Sequence, residues 1–258
     1  MITWIRQLDS LLRGESTRID QLRDGELRVP ILGLAVVIDV LGLIYGACMG
    51  VFSLTKSGSH ASMQIPASML KVPALFLLTL IITFPSLYVF NALMGSRLRF
   101  LATLRLLIAS MAVMLAILSS IGPIVAFFSI STTSYSFMVL LNVAVFGIAG
   151  ILGLSFLLQT LHRISIAQEE IPPPIPSESS ATEPMLPNPI ERFDVREVRP
   201  PVKMVFRIWL VVFALVGSQM GWVLRPFIGA PGTPFAWFRP VHSNFFEAIG
   251  QQILNLFK

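Results

Sequence analysis

One cysteine, three histidines and a charged fraction of 13% are all that these 258 residues offer to ordinary solution chemistry. The lone Cys48 excludes a disulfide within the chain. His60, His162 and His242 are far apart in sequence and lack neighbouring cysteines or paired carboxylates, so no zinc-type ligand spacing exists. GxSxG, HExxH, CxxC and a glycine-rich phosphate loop are all missing. No catalytic, metal-binding or cofactor-binding set can therefore be assembled, and no cofactor is expected. The poverty of charge excludes still more. A soluble domain carries about a quarter charged residues, whereas this chain is 54% hydrophobic with a mean hydropathy of +0.76. Water is not the solvent for most of its surface.

What is present is a set of long apolar runs, at about 31–54, 72–93, 101–130, 137–161 and 202–224. Each meets the roughly 20 residues that a helix needs to cross a bilayer. Continuous apolarity without period-two alternation points to helices and not to barrel strands. The expected fold is all-α: a polytopic integral membrane helical bundle of about five transmembrane helices, with interfacial amphipathic helices at both termini. Pro73 and Pro85 predict bends in the second run, with Ser86 or a neighbouring helix available for the freed carbonyls. Gly122-Pro123 predicts a kink or break in the third, after which IVAFFSI lies along the surface.

The chain divides accordingly. Residues 1–30 form a cytoplasmic amphipathic segment, with Trp4, Ile5, Leu8, Leu11 and Leu12 on one stripe. It lies either on the membrane or on the protein's own cytoplasmic face. Residues 31–164 are a four-helix transmembrane unit. Residues 165–201 are a disordered, proline-rich cytoplasmic linker, too polar to bury a core. It is a flexible tether or a docking strip for a partner that reads proline-rich segments. Residues 202–224 are the fifth transmembrane helix, and 225–258 an external Gly/Pro/aromatic loop followed by an interfacial helix.

Positive residues stay on the cytoplasmic side of a membrane. Arg6, Arg13, Arg18, Arg23 and Arg28 precede the first span, and Arg97, Arg99 and Arg105 follow the second. Arg163, Arg192, Arg196, Arg199, Lys203 and Arg207 separate the fourth from the fifth. Only Lys56, Lys71, Arg225, Arg239 and Lys258 fall opposite. The bias places the N-terminus in the cytoplasm and the C-terminus outside. The formal charge of +5 thus reflects topology and contact with anionic lipid. The basic residues are too dispersed for a nucleic-acid surface, and none is expected as a partner.

Gly42, Gly46 and Gly50 stack on one face of the first span, where glycine permits close backbone approach; helix packing within the chain or self-association would use that face. Asp39 is an intramembrane acid that must face protein, water or a proton. It is either a hydrogen-bonding anchor or a proton or cation site. Asn91, Asn142 and Gln219 are further intramembrane polar positions. In the tail, Trp222, Trp237 and Phe238 are headgroup-level rings. Arg225 beside Pro226 is placed to hold a phosphate or carboxylate.

Two stretches carry a resemblance: KVPALFLLTLIITFPSLYVFNALMGSRL and SQMGWVLRPFIGAPGTPFAWFR. Together they resemble an uncharacterised family of bacterial multi-spanning membrane proteins with K-x-P-x-LF…FPSLYVFN and GxQxGWxLRPFxG-P segments. They cover about a fifth of the chain. The resemblance implies residence in the bacterial inner membrane and no established activity. The five-span topology is also similar to that of Yip-type membrane proteins. Within the matching segments, Lys71 and Arg225 are expected to present two charges to one anionic group, a lipid phosphate or a partner's carboxylate, with Gln219, Trp222, Pro226, Trp237 and Phe238 beside them.

The function expected from this pattern is non-enzymatic. The chain reads as a scaffold or accessory subunit of a membrane complex or homo-oligomer, with membrane lipids, other copies or other membrane subunits as partners. The alternative is a small channel or transporter that uses the intramembrane acid.

Overall fold

The computed structural model describes residues 2–15, 29–56, 63–93, 100–169, 199–229, 234–240 and 243–256. Among these residues all regular structure is helical: α1 (Ile2–Leu12), α2 (Ile31–Lys56), α3 (Gln64–Leu93), α4 (Phe100–Ser131), α5 (Tyr135–Glu169), α6 (Arg199–Val223) and α7 (Phe245–Leu256). Four of them, α2 to α5, are long and apolar enough to cross a membrane. The chain is a membrane protein built as a helical bundle. The apolar part of α6, Arg207–Val223, is shorter. The linker expected over 165–201 falls mostly outside the described residues, while its two ends continue α5 and α6. His60 and His242 also lie outside them.

Local chemistry sets the helix ends. The Pro30 carbonyl accepts the Leu34 N–H at 3.1 Å and opens α2. Ser134 caps α5, its hydroxyl accepting the Phe137 N–H at 3.2 Å. Asn244 caps α7 in the same way, accepting the Glu247 N–H at 2.8 Å. Helix α3 starts at Gln64, eight residues before the apolar run suggests, and carries Lys71 and Pro73 inside it. A lysine that would normally end a span is tolerated there because backbone carbonyls from elsewhere in the chain receive its ammonium.

The prolines bend the expectations in two ways. At Pro85, the Thr83 carbonyl accepts both the Ser86 hydroxyl at 2.7 Å and the Trp209 indole N–H of α6 at 2.9 Å. The indole bond holds α3 to α6 beside the proline. In α4 no break occurs, and the helix continues through Pro123 to Ser131. Pro123 lies on the exposed side, and the Ser120 hydroxyl donates to the Ala116 carbonyl at 2.8 Å.

Helix α4 is the centre of the bundle, buried almost without interruption from Ala102 to Leu118. It packs against α2 on one side and α5 on the other, while α3 lies against α2 and α6. α1 folds back onto α2 and α4 through buried Leu8 and Leu11, leaving Ile5 and Leu12 exposed. α7 rests on α5 and α6. One polar pair crosses the interior: the Tyr45 hydroxyl donates to Asn142 Oδ1 at 2.9 Å, and Asn142 Nδ2 donates to the Met138 carbonyl at 2.8 Å. Both side chains are buried and mutually satisfied, as a polar group in an apolar interior requires.

The three stacked glycines of α2 all face α3. A Cβ on Gly42 would sit 3.1 Å from Pro73, one on Gly50 2.8 Å from Ile65 Cα, and one on Gly46 2.5 Å from the Ser68 carbonyl oxygen. The last two neighbours are backbone atoms that cannot rotate away. Gly46→Ala must therefore force α2 and α3 apart, at a cost of about 1–3 kcal/mol. Gly147→Ala, where nothing lies within 4 Å, is the control. Thermal unfolding in detergent should show a lowered midpoint for the first variant alone; equal midpoints would show that the contact is not close.

Candidate functional site

The end of the bundle where α3 begins and α6 finishes gathers most of the polar chemistry. Gln64, Ser68 and Lys71 recur at helical spacing along one face of α3 and are all buried. They meet the irregular chain that leaves α6 at Leu224. Gln64 Nε2 donates to the carbonyls of Pro226 at 3.0 Å and Phe227 at 3.2 Å. The Ser68 hydroxyl is shared between the Gln64 carbonyl at 2.8 Å and that of Phe227. Lys71 Nζ donates to the Pro226 carbonyl at 3.0 Å and to that of Trp237, with the Phe238 ring centroid 5.2 Å away. Lys71 is only 3% exposed, so these partners replace water.

Arg225 and Trp222 pin the other side of the loop. The Arg225 guanidinium stacks on the Trp222 ring at 3.6 Å and donates to the Pro240 carbonyl. The Trp222 indole N–H donates to the Ser243 carbonyl at 2.5 Å. Gln219 accepts the Phe245 N–H at 3.4 Å, joining α6 to the start of α7. The Arg225-Pro226 peptide bond is cis. Burial, with Arg239 adding repulsion, pulls the Arg225 guanidinium below its usual range, while Tyr135 acts in the opposite sense. Among the described residues, neither Lys71 nor Arg225 is paired with a carboxylate. Their partners are neutral carbonyls and aromatic faces.

The structure thus brings Lys71, Gln219, Trp222, Arg225, Pro226, Trp237 and Phe238 to one end of the bundle. Lys71 and Arg225 act on separate carbonyls there and do not converge on a shared acceptor among the described residues. The remaining polar positions are not gathered. Asn142 is engaged with Tyr45. Asp39 is half-buried on α2 and bonds to no side chain among the described residues. Asn91 is helical, and its side chain lies outside the described residues. No group of three or more His, Cys, Asp or Glu able to hold a metal occurs among the described residues.

Gln64 and Ser68 are the residues that sequence reasoning missed. Their signal was available: Gln64, Ser68 and Lys71 recur at helical spacing at the start of a largely apolar helix. Placing the span's start at residue 72 hid it. No protein-family model matches the chain, and neither a curated protein nor a solved structure does.

Removing the stripe should free the loop without unfolding the bundle. Gln64→Leu combined with Lys71→Met removes both donors of the Pro226 carbonyl, and an unsatisfied buried acceptor costs about 1–3 kcal/mol. In lipid nanodiscs, limited proteolysis should cut within residues 225–240 faster in the double variant, with helical circular dichroism unchanged. Equal cleavage rates would show that the stripe does not hold the loop.

Proposed function

We infer that this chain is a non-enzymatic scaffold or accessory subunit of a membrane complex or homo-oligomer. The observation that carries this reading is how the polar groups inside the bundle are used. Gln64, Ser68, Lys71, Trp209, Trp222, Tyr45 and Asn142 bond to the chain's own backbone or to one another. They bond within the fold, where a substrate or an ion pathway would need open polar groups. What faces outward is apolar: Ile148, Ile151 and Leu152 on α5, and Ile208, Val211 and Leu215 on α6. Such faces suit lipid, a second copy or another membrane subunit.

The same reading places the chain in a bacterial inner membrane, with its N-terminus cytoplasmic and its C-terminus outside. α6 supplies the fifth crossing. Its apolar stretch, Arg207–Val223, is at the lower end of the roughly 17–25 residues that a helical crossing uses. The asymmetry of arginine and lysine supports this orientation. One observation favours the alternative of a small channel or transporter: Asp39 is an acid within a span and has no bonded side chain among the described residues.

Purification in mild detergent, followed by mass spectrometry of what co-elutes, should yield a fixed stoichiometry of copies or of a second membrane subunit. A monomer whose liposomes conduct ions until Asp39→Asn is introduced would replace the scaffold by the channel. A reporter fused after Lys258 should be active outside the cytoplasm; activity only inside would remove the fifth crossing.

A further inference from the structure

Asp39 stands about 12 Å along α2 from Ile31, at roughly 1.5 Å per residue, within the apolar run Ile31–Leu54. An aspartate is too short to reach the headgroup layer from there, as a lysine stem would. It makes no hydrogen bond or ion pair among the described residues. The neighbouring helix offers it nothing. Gly42 lies against Pro73, Gly46 against Ser68 and Met69, and Gly50 against Ile65, which fixes the antiparallel register of α2 and α3. Continued by one turn, that register sets Asp39 against the stretch after Pro73, where Ala74, Leu75, Phe76, Leu77 and Leu78 carry no donor. Ionised and unpaired, a carboxylate in hydrocarbon is strongly unfavourable. Neutral, it still has an O–H to donate and an oxygen that accepts.

Asp39 also has a defined place on its helix. Leu32, Val36, Asp39 and Leu43 follow one another at intervals of four, three and four, the seam spacing of paired helices. Leu32 is 81% exposed and Val36 38%, while Asp39 and Leu43 are half-buried. The same spacing continues through Gly46 and Gly50, where α3 occupies the seam. Nearer the start of α2 the seam is open. A single polar residue in an apolar seam fixes register and the number of chains, because any other alignment strands it in hydrocarbon.

Depth decides what closes the seam. Two copies inserted with the same orientation and related by a twofold axis along the membrane normal place every residue level with its equivalent. A second Asp39 then arrives at the depth of the first with the complementary groups. Each O–H donates to the other's carboxyl oxygen, and no net charge enters the hydrocarbon. An unrelated subunit would match Asp39 only by carrying a polar group at that same level, whereas a second copy does so by symmetry.

We propose that this chain forms a twofold dimer through the first half of α2, in which the Asp39 carboxyls of the two copies hydrogen-bond to each other. Leu32, Val36 and Leu43 pack across the axis around that pair. The proposal rests on the homo-oligomeric form of the proposed function and names the surface that form uses.

The test uses the full chain in lipid vesicles, with Cys48→Ala as background and one new cysteine at a time, oxidised by copper phenanthroline over a series of protein-to-lipid ratios. Leu32→Cys should yield a crosslinked dimer, and Ile208→Cys, at an exposed position of α6, should not. Added to Leu32→Cys, Asp39→Leu should weaken association about tenfold, the effect of losing a polar contact between membrane helices. Asp39→Asn should keep association, because an amide also donates and accepts. Helical circular dichroism shows whether the variants are folded, and the contrast between Leu32→Cys and Ile208→Cys stands without the Asp39 variants. Crosslinking through Ile208→Cys alone overturns the α2 interface and leaves a homo-oligomer standing. No dimer at any ratio overturns the pairing and the homo-oligomer together. Undiminished association in folded Asp39→Leu, or association lost in folded Asp39→Asn, overturns the carboxyl contact and with it the proposal.

Discussion

A backbone carbonyl at the edge of a membrane must find a donor, and this requirement organises one whole end of the bundle. The chain leaving α6 is irregular over residues 224–229 and 234–240, which include Pro226 and Pro240. Proline has no N–H, and residues outside a helix lack the ladder that would satisfy their carbonyls. Side chains supply the missing donors. Gln64, Ser68 and Lys71 serve Pro226, Phe227 and Trp237, and Arg225 serves Pro240. A helical tail would need none of them. The loop exists in this form because α3 carries a row of donors where the other spans carry leucine and valine.

That row can face the loop only if α3 is held in rotation. Two contacts do this from opposite directions. The glycine ridge of α2 lies against the backbone of α3 at Ile65 and Ser68–Met69, so one flank of the helix is set by close approach. Further along, the Trp209 indole of α6 reaches the Thr83 carbonyl near Pro85 and sets the other. Ser68 links these demands within one residue, its carbonyl pressed by the Gly46 face while its hydroxyl is offered to Phe227. Packing through dispersion and polar satisfaction thus act on the same turn of helix.

The helical crossings were legible because their apolar length admits no other structure, and α2 to α5 carry that signal along most of their residues. Boundaries were less so. A lysine in a span reads as its end, yet Lys71 lies inside α3 because the acceptors that satisfy it come from residues more than 150 positions away. Gly122-Pro123 reads as a break, yet α4 continues through it. The charges and rings of the tail were visible as candidates. Their partners were not: main-chain carbonyls are identical in every sequence, and only the fold reveals which of them a side chain reaches. Gln64 and Ser68 were missed because they precede residue 72, where the apolar run begins.

Hydrophobicity explains why the chain enters a membrane but does not distinguish one end of the bundle from the other. Charge does. A buried lysine whose ammonium donates to carbonyls and faces an aromatic ring has hydrogen-bond partners that carry no counter-charge, so its field is not cancelled locally. An ion pair would have cancelled that field locally. Building the tail on neutral acceptors therefore preserves a positive potential at the point where rings and aliphatic side chains meet the headgroup layer. The choice of acceptor follows from the loop's prolines and its lack of carboxylates. The same covalent feature that makes the loop dependent on α3 also leaves the joined structure electropositive, so its structural solution and its capacity to attract anions have one origin.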